Sequence, residues 1–276
     1  MSAQATPPPV LPPEVHLSTP GGATAKISPY GAHVLSWIPA GGAERLFLSS
    51  KAEFRPGAAI RGGVPVIFPQ FAGLGPLPKH GFARNQVWEV AHLSETRAVF
   101  WLSENEMTGR VWPHRFLAEY TVRLDETSLE MALSITNTDL VPFQFTAALH
   151  TYLQVEEVRA AAVEGLDGLV YRDSANGERE VRETAPALTF PGEIDRVYLN
   201  LVTPLRLLSG SRTLSVESEG FPDAVLWNPG PEKGAALADL EPEGYLRFVC
   251  IEAAAAGKPV TLTPGGIWRG LQRLVA

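Results

Sequence analysis

The sequence predicts an all-β fold of many short antiparallel strands packed as two sheets. Apolar residues alternate with polar or small ones over residues 116–124 and again over residues 129–136. This period of two is typical of half-buried antiparallel strands, and residues 125–128 supply a turn between them. No period of 3.6 residues persists beyond about three helical turns. The 276 residues, 45% of them hydrophobic, are therefore predicted to form one large β-sandwich.

The other predicted strands are short apolar or alternating runs bounded by turn residues. Before the central pair they cover residues 15–17, 23–27, 33–38, 45–48, 87–93 and 98–102, and residues 20–22 join the first two as a hairpin. After it they cover residues 143–155, 188–190, 196–201, 214–217, 224–227, 245–251, 260–262 and 267–274. We expect the Pro-rich residues 1–13 to be a disordered leader and residues 14–276 to form a single domain.

Composition and charge argue against several functional classes. A net charge of -7 leaves little scope for the basic surface that binds nucleic acid. The single cysteine, Cys250, excludes an internal disulfide and is typical of a reducing compartment. No apolar run is long enough to cross a membrane, and residues 1–13 lack the basic and apolar regions of a secretory signal. We therefore expect a cytoplasmic, monomeric protein without nucleic-acid or membrane partners.

Residues 60–88 form a shaped loop rather than a periodic element, because Gly and Pro recur along the whole segment. Loops on a rigid frame often carry binding and catalytic groups. Arg61, Lys79 and Arg84 place three cations around His80, a combination that suits an anionic ligand. Alternatively, the arginines form structural ion pairs and His80 is a hydrogen-bonded core residue. The loop alone favours neither interpretation.

Two further residues are candidates for acid–base chemistry. His150 lies in an apolar strand, where a histidine is costly unless it is hydrogen-bonded; taken alone, a core position is favoured over a cleft. Glu252 ends an apolar strand, and burial there would raise its pKa toward the range of a general base, although it could equally point to water. Asp195 could accept hydrogen bonds from sugar hydroxyls or form a surface ion pair with Arg196. Trp227 is a core residue or a stacking platform.

Motifs for metals, phosphate loops and activated nucleophiles are absent from the sequence. The six histidines show no H-x-H or H-E-x-x-H spacing. Walker A, G-x-G-x-x-G and G-x-S-x-G patterns are also missing. We therefore expect neither a metal nor an organic cofactor, and acid–base pairs remain the candidate chemistry.

Five short motifs occur in an order that resembles a known family. They are R-G-G-V-P at 61–65, P-K-H-G-F-A-R-N at 78–85, H-T-Y at 150–152, D-A-V-L-W-N-P at 223–229 and V-C-I-E at 249–252. From about residue 15 to the C-terminus, the chain resembles the hexose-6-phosphate mutarotases, also called glucose-6-phosphate 1-epimerases, of the aldose 1-epimerase superfamily. One departure is Gly230, which stands where the family often has Trp.

The resemblance implies a galactose-mutarotase-like antiparallel β-supersandwich with its site on the concave face of one sheet. It also implies cofactor-independent interconversion of the α and β anomers of a hexose 6-phosphate, such as glucose 6-phosphate. The residue matching Glu252 removes the proton of the anomeric hydroxyl, and the residue matching His150 protonates the ring oxygen. The other positions that match substrate-contacting or site residues are Arg61, Lys79, His80, Arg84 and Asp195.

Two alternative functions remain open at this point. The first is a non-catalytic sugar-phosphate sensor on the same fold, which would have no need of both His150 and Glu252. The second is a mutarotase of neutral aldoses, which would not require the cations around His80. Ring opening needs one base and one acid on the same molecule, and a phosphate calls for arginine forks. The residues therefore favour the phosphosugar enzyme.

Overall fold

The computed structural model describes residues 11–276, so residues 1–10 of the predicted leader lie outside it. The regular secondary structure of the described chain is almost entirely β-strand. Its first ten strands are β1 (Val15–Ser18), β2 (Thr24–Ser28), β3 (His33–Ile38), β4 (Val66–Ile67), β5 (Glu89–Leu93), β6 (Arg97–Ser103), β7 (Phe116–Leu124), β8 (Ser128–Asn137), β9 (Phe143–Leu149) and β10 (Tyr152–Gln154). The next ten are β11 (Ala162–Glu164), β12 (Val170–Asp173), β13 (Arg179–Arg182), β14 (Ala187–Thr189), β15 (Ile194–Tyr198), β16 (Leu205–Ser209), β17 (Arg212–Glu219), β18 (Asp223–Asn228), β19 (Phe248–Leu262) and β20 (Ile267–Val275).

Two large antiparallel sheets form the sandwich. One has nine strands in the order β14-β11-β16-β17-β20-β8-β7-β6-β5. The other has eight, with β13-β12-β15-β18-β19-β9-β4 in sequence and β10 also paired with β19. A small sheet of β1, β2 and β3 completes the described fold. The predicted all-β class of packed antiparallel sheets is thus confirmed.

Alternation along the strands decides which face of each sheet is buried in the sandwich. Tyr120 and Leu133 of the nine-stranded sheet share one buried apolar cluster with Leu226 and Ile251 of the eight-stranded sheet. Two smaller apolar clusters cover the opposite face of the eight-stranded sheet. Residues of intervening register on β15, β18 and β19 therefore face away from the sandwich core.

Several strand predictions differ from the structure. Residues 45–48 make only isolated bridges, Leu46 with Leu153 and Leu48 with Gly62. The predicted strand at 143–155 is broken between β9 and β10. The predicted strands at 245–251 and 260–262 belong to one strand, β19, which starts after a short 3-10 turn at Gly244–Arg247 and carries an irregularity between Ala255 and Val260.

Helical structure is limited to short segments, as the lack of a 3.6-residue period indicates. Two α-helices occur in the described chain, α1 (Glu106–Val111) and α2 (Gly230–Ala236). Asn105 caps α1 by accepting hydrogen bonds from two backbone amides of its first turn. Neither helix has the length or apolar character needed to cross a bilayer. Within residues 60–88 the structure has only β4 and a 3-10 turn at Ala83–Asn85, so this segment is largely a loop, as predicted.

Candidate active site

A cavity of about 440 Å³ opens on the face of the eight-stranded sheet that points away from the sandwich core. The structure brings all seven residues predicted for the site to its walls. They are Arg61, Lys79, His80, Arg84, His150, Asp195 and Glu252. None of them lines the broader groove of about 630 Å³ over the nine-stranded sheet. We therefore take the smaller cavity as the candidate site.

The strand register places His150 directly opposite Glu252. Leu149 pairs with Ala253 and Tyr152 pairs with Cys250. In the same register, His150 lies opposite Glu252 and the next residue, Thr151, lies opposite Ile251. Directly opposite residues project to the same face of a sheet. His150 Nε2 accordingly lies 3.3 Å from Glu252 Oε1, and their side chains are only 9% and 1% exposed.

The backbone of His150 is held by hydrogen bonds to the loop at residues 60–88, which also carries the three cations. The amide of His150 donates to the carbonyl of Pro65 over 3.0 Å, and the amide of Tyr152 donates to the carbonyl of Gly63 over 2.9 Å. Gly63 has φ 59°, and a Cβ there would lie 2.2 Å from the carbonyl oxygen of Val34. Glycine is therefore required at the turn that aligns the loop with the strand break.

Burial shifts both members of the pair toward their neutral forms. It raises the pKa of Glu252 well above its usual value, and the nearby carboxyl of Asp195 adds to the increase. Burial also lowers the pKa of His150 well below its usual value, with further contributions from His80 and Arg84. A carboxylate and an imidazole in direct contact at low exposure can exchange a proton with a bound ligand.

Aromatic side chains surround the imidazole of His150. The ring of Tyr152 stacks on it with centroids 4.9 Å apart and planes inclined by 14°. His80 and Trp227 approach it edge to face at 5.6 and 5.8 Å. Trp227 is half-buried and lines the cavity, which leaves part of its surface available to a ligand. These contacts restrict the orientation of the imidazole.

Arg61 is held in place at one end of the cavity by two partners. It forms an ion pair with Asp239 at 3.1 Å and donates to the hydroxyl of Tyr152 over 2.9 Å. Burial alone would lower the pKa of Arg61, but Tyr152 and Asp239 outweigh burial and raise it. The structural ion pair that the sequence left open is thus present, and the guanidinium still lines the cavity.

Arg84 and Lys79 have no carboxylate partner within residues 11–276. Arg84 donates from Nη2 to the carbonyl of Lys79 over 3.1 Å, and its buried Nε has no hydrogen-bond partner in the described chain. Burial and the neighbouring Arg61 lower the pKa of Arg84. A half-buried guanidinium without a counterion is costly, so this end of the cavity favours an anionic ligand.

His80 is a neutral imidazole in this environment. Burial, followed by the charges of Arg84 and Lys79, lowers the pKa of His80 to about 3. The amide of Ala72 donates to its Nδ1 over 3.3 Å, which places the proton on Nε2. His80 can therefore act as a hydrogen-bond donor beside His150 without adding charge.

Asp195 supplies a carboxyl group on β15. Burial is the main cause that raises the pKa of Asp195, to about 6. The alternative ion pair with Arg196 is not formed, because neighbouring residues of a strand face opposite sides. Arg196 instead pairs with Glu183 at 3.1 Å. Asp195 lies opposite Trp227 in the register, so the two form one part of the cavity wall.

Sequence reasoning missed several residues of the cavity. Tyr152 carried a usable signal, since it follows His150 by two residues and must share its face in an extended chain. Asp239, which orients Arg61 from outside the cavity lining, carried none, because it lies 178 residues from that partner. Arg172 also lines the cavity and donates to the exposed Glu180 over 3.2 Å. Other lining residues without an assigned role include Phe71, Ser174, Glu178, Val197, Val225 and Leu237.

Metal ligands do not converge in the described part of the chain. Among residues 11–276, no three His, Cys, Asp or Glu side chains lie close enough together to hold a metal ion. The pair at the centre of the cavity consists of a single imidazole and a single carboxyl group. An imidazole and a carboxyl group in contact can transfer protons.

Comparison with known proteins relates this chain to sugar epimerases. A family model described as "Aldose 1-epimerase" matches residues 13–274. A Cenchrus ciliaris protein named "Putative glucose-6-phosphate 1-epimerase" is 39% identical over 260 residues, which are 89% of this chain and 79% of the relative. A protein of the same name from Escherichia coli (strain K12) is 38% identical over 241 residues, which are 84% of this chain and 80% of the relative.

Solved structures show the same fold. The crystal structure of "a putative mutarotase (YeaD)" from Salmonella typhimurium has a TM-score of 0.85 and 33% identity, covering 92% of this chain and 86% of that one. A galactose mutarotase related enzyme from Lactobacillus acidophilus has a TM-score of 0.76 at 18% identity, covering 95% and 96%. The predicted galactose-mutarotase-like fold is thus confirmed. Since the family model spans nearly all of the sequence, the chain belongs to the aldose 1-epimerase family and is an isomerase of that class.

Proposed function

We propose that this isomerase interconverts the α and β anomers of a hexose 6-phosphate, with glucose 6-phosphate as the expected substrate. The observation that supports the proposal is the position of Arg84, a half-buried cation without a carboxylate partner in residues 11–276, within the same cavity as His150 and Glu252. A neutral sugar would leave this charge uncompensated, whereas a phosphate would pair with it.

The phosphate site in this proposal consists of the three cations of the loop. Arg61 is oriented by Asp239, Arg84 is free to form a guanidinium–phosphate fork, and the exposed Lys79 adds charge at the entrance. Two guanidinium groups suit the planar, bidentate recognition of phosphate oxygens. At the other side of the cavity, Asp195 accepts hydrogen bonds from sugar hydroxyls.

The reaction is a pair of proton transfers around ring opening. Glu252 takes the proton of the anomeric hydroxyl, the C1–O5 bond breaks as the C1 carbonyl forms, and His150 gives a proton to O5. The C1–C2 bond of the open aldehyde rotates, so that the other face of the carbonyl is presented to O5. His150 then recovers its proton from O5 as the ring closes, and Glu252 returns a proton to O1. The neutral His80 can donate a hydrogen bond to a substrate oxygen throughout.

The buried environment suits this chemistry. Burial keeps the pKa of Glu252 high, so its carboxylate is a stronger base than an exposed one. Burial keeps the pKa of His150 low, so its imidazolium is a stronger acid than an exposed one. The reaction starts from the ionised pair, in which the imidazolium and the carboxylate, 3.3 Å apart, each offset the cost of burying the other's charge. General acid–base catalysis of this kind contributes about 10²- to 10⁴-fold in rate.

Anomer-exchange NMR at equilibrium tests the proposal. We expect fast exchange of glucose 6-phosphate and much slower exchange of glucose. Glu252→Gln should lower kcat by about 10²- to 10⁴-fold while binding of glucose 6-phosphate persists. Arg84→Met should lower kcat/KM for glucose 6-phosphate by about 10- to 100-fold, since a charge-assisted hydrogen bond is worth about 1.5–3 kcal/mol, and should leave glucose unaffected.

The matched control is Arg206→Met, which removes an exposed arginine of β16 that pairs with Glu164 at 2.9 Å. It should leave exchange of either sugar unchanged. Equal turnover of glucose and glucose 6-phosphate, with Arg84→Met affecting both alike, would instead assign the chain to neutral aldoses. Anomer-selective binding of glucose 6-phosphate without any acceleration of exchange would contradict the catalytic roles and leave a sensor.

A further inference from the structure

A buried glutamine occupies the core between the two large sheets, behind the proposed acid–base pair. Gln272 lies on β20 and has no exposed surface. Its neighbours in the inward row of that strand are Gly270 and Leu274, so an apolar side chain would be expected here. A buried amide is costly unless its donor and acceptor are hydrogen-bonded. The partners of Gln272 therefore indicate its role.

Both hydrogen bonds of this side chain end beside the proposed catalytic residues. Thr151 Oγ1 donates to Gln272 Oε1 over 2.5 Å, and Gln272 Nε2 donates to the carbonyl of Ile251 over 3.0 Å. Thr151 immediately follows His150, and Ile251 immediately precedes Glu252. One side chain of the opposite sheet thus connects the residue that follows the imidazole to the residue that precedes the carboxyl group.

The connection lies where the strand pairing is interrupted. β9 ends at Leu149 and β10 begins at Tyr152, and between them the amide of Ile251 donates to the carbonyl of Thr151 over 3.1 Å. The hydroxyl of Thr151 has a second acceptor only at 3.5 Å, the carbonyl of Leu149, which is too long for a strong bond. Gln272 therefore supplies the main acceptor for the hydroxyl of Thr151 at the break.

We propose that Gln272 is a positioning residue that sets the separation of His150 Nε2 and Glu252 Oε1. The inference rests on the proposed acid and base roles of this pair. Gln272 is too deep in the sandwich to touch a substrate, and it acts only through the hydroxyl of Thr151 and the backbone carbonyl of Ile251. A misplacement of about 1 Å at a catalytic group can cost about 10²-fold in rate.

The test variant is Gln272→Met, because methionine has a similar length and no hydrogen-bonding amide. We expect kcat to fall about 10- to 100-fold while KM changes less than about threefold, since binding groups are untouched. Thr151→Val should likewise lower kcat with little change in KM. Thr151→Ser, which keeps the hydroxyl, should retain wild-type kcat. In the double variant that combines Gln272→Met with Thr151→Val, kcat should fall no further than in the more affected single variant. Both changes break the same hydrogen-bonded connection.

The matched control is Leu274→Val, which disturbs the same inward row of β20 without a bond to either strand of the site. It should leave kcat within about twofold of wild type. If Gln272→Met does not fold, the Val and Ser variants of Thr151 carry the test. An equal loss of kcat in Leu274→Val, or wild-type kcat in folded Gln272→Met or Thr151→Val, would overturn the inference.

The imidazole nitrogen NMR signals of His150 in the unliganded protein separate this inference from the proposed function. Gln272→Met and Thr151→Val should shift those signals, and Leu274→Val should not. Unchanged signals in Gln272→Met and Thr151→Val would refute the positioning role regardless of activity. Shifted signals in a protein whose wild type accelerates no anomer exchange would support the positioning role and refute the proposed reaction.

Discussion

The carboxyl group of Asp195 should weaken the fold at neutral pH, so that Asp195→Asn stabilises the protein. Burial raises the pKa of Asp195 from 3.8 to about 6 in the folded state. Between these two pH values the folded protein binds more protons than the unfolded chain. Its stability therefore falls as pH rises through this window, and the full penalty is present above it.

The size of the effect follows from the same pKa values. A difference of about two between the folded and unfolded pKa corresponds to about 3 kcal/mol. Asp195 keeps some exposure to solvent, and screening reduces the penalty, so we expect about 1–2 kcal/mol at neutral pH. Asparagine has nearly the same shape and carries no charge. Asp195→Asn should recover this free energy of unfolding at neutral pH and show almost no gain near pH 4.

Urea unfolding at about pH 4 and about pH 7.5 measures the difference directly, because the midpoint and slope give the free energy at each pH. Asp167→Asn is the control, since Asp167 is exposed and the variant removes the same unit charge. The reasoning is refuted if Asp195→Asn gains nothing at the higher pH, or if its gain is the same at both. The stabilised variant should also lose kcat/KM on glucose 6-phosphate, a trade-off that is common at functional sites.

The remaining predictions concern the loop, its histidine and a helix cap. Gly63→Ala should lower the free energy of unfolding by more than about 2 kcal/mol, because a Cβ would meet the carbonyl oxygen of Val34 at 2.2 Å. Gly57→Ala is the control, since Gly57 is also at positive φ but has open space around the position of a Cβ. Thermal unfolding should show a smaller loss of stability for Gly57→Ala. His80 should show no protonation by nitrogen-detected NMR between about pH 5 and about pH 8, given its pKa of about 3, and a titration there would contradict its neutral role. Asn105→Ala should cost about 1 kcal/mol, measured by urea unfolding, because α1 loses its cap.

The strands with strict alternation are the part of the fold that the sequence predicts best. In β7 and β8 each residue faces either the core or solvent, so the period of two is fully expressed in residue type. The break at His150 is invisible in the sequence, because apolar and β-branched residues continue across it. It arises from hydrogen bonds to the carbonyls of Pro65 and Gly63, which are contacts between distant parts of the chain.

The sequence predicts the residues that line the candidate site but not the residues that hold them in place, because those partners lie far along the chain. Three cations in one loop are visible as composition, and the proposed catalytic pair is visible through the resemblance. The partners that fix them are not, since Asp239 and Gln272 lie far along the chain from Arg61 and Thr151. The helix α1 was missed because a turn and a half of helix is defined by its cap rather than by a 3.6-residue period.

Because the strand register places His150 opposite Glu252, the lengths of β9 and β19 should be constrained in the evolution of this enzyme. Deleting one residue from β9 or β19 would turn one of the two side chains into the sandwich core, because successive residues face opposite sides. Deleting two would restore the face but change the partner. Point substitutions elsewhere in these strands preserve the pairing, whereas insertions and deletions do not. Length variation among functional homologues should therefore be confined to the turns, even where identity in the strands is low.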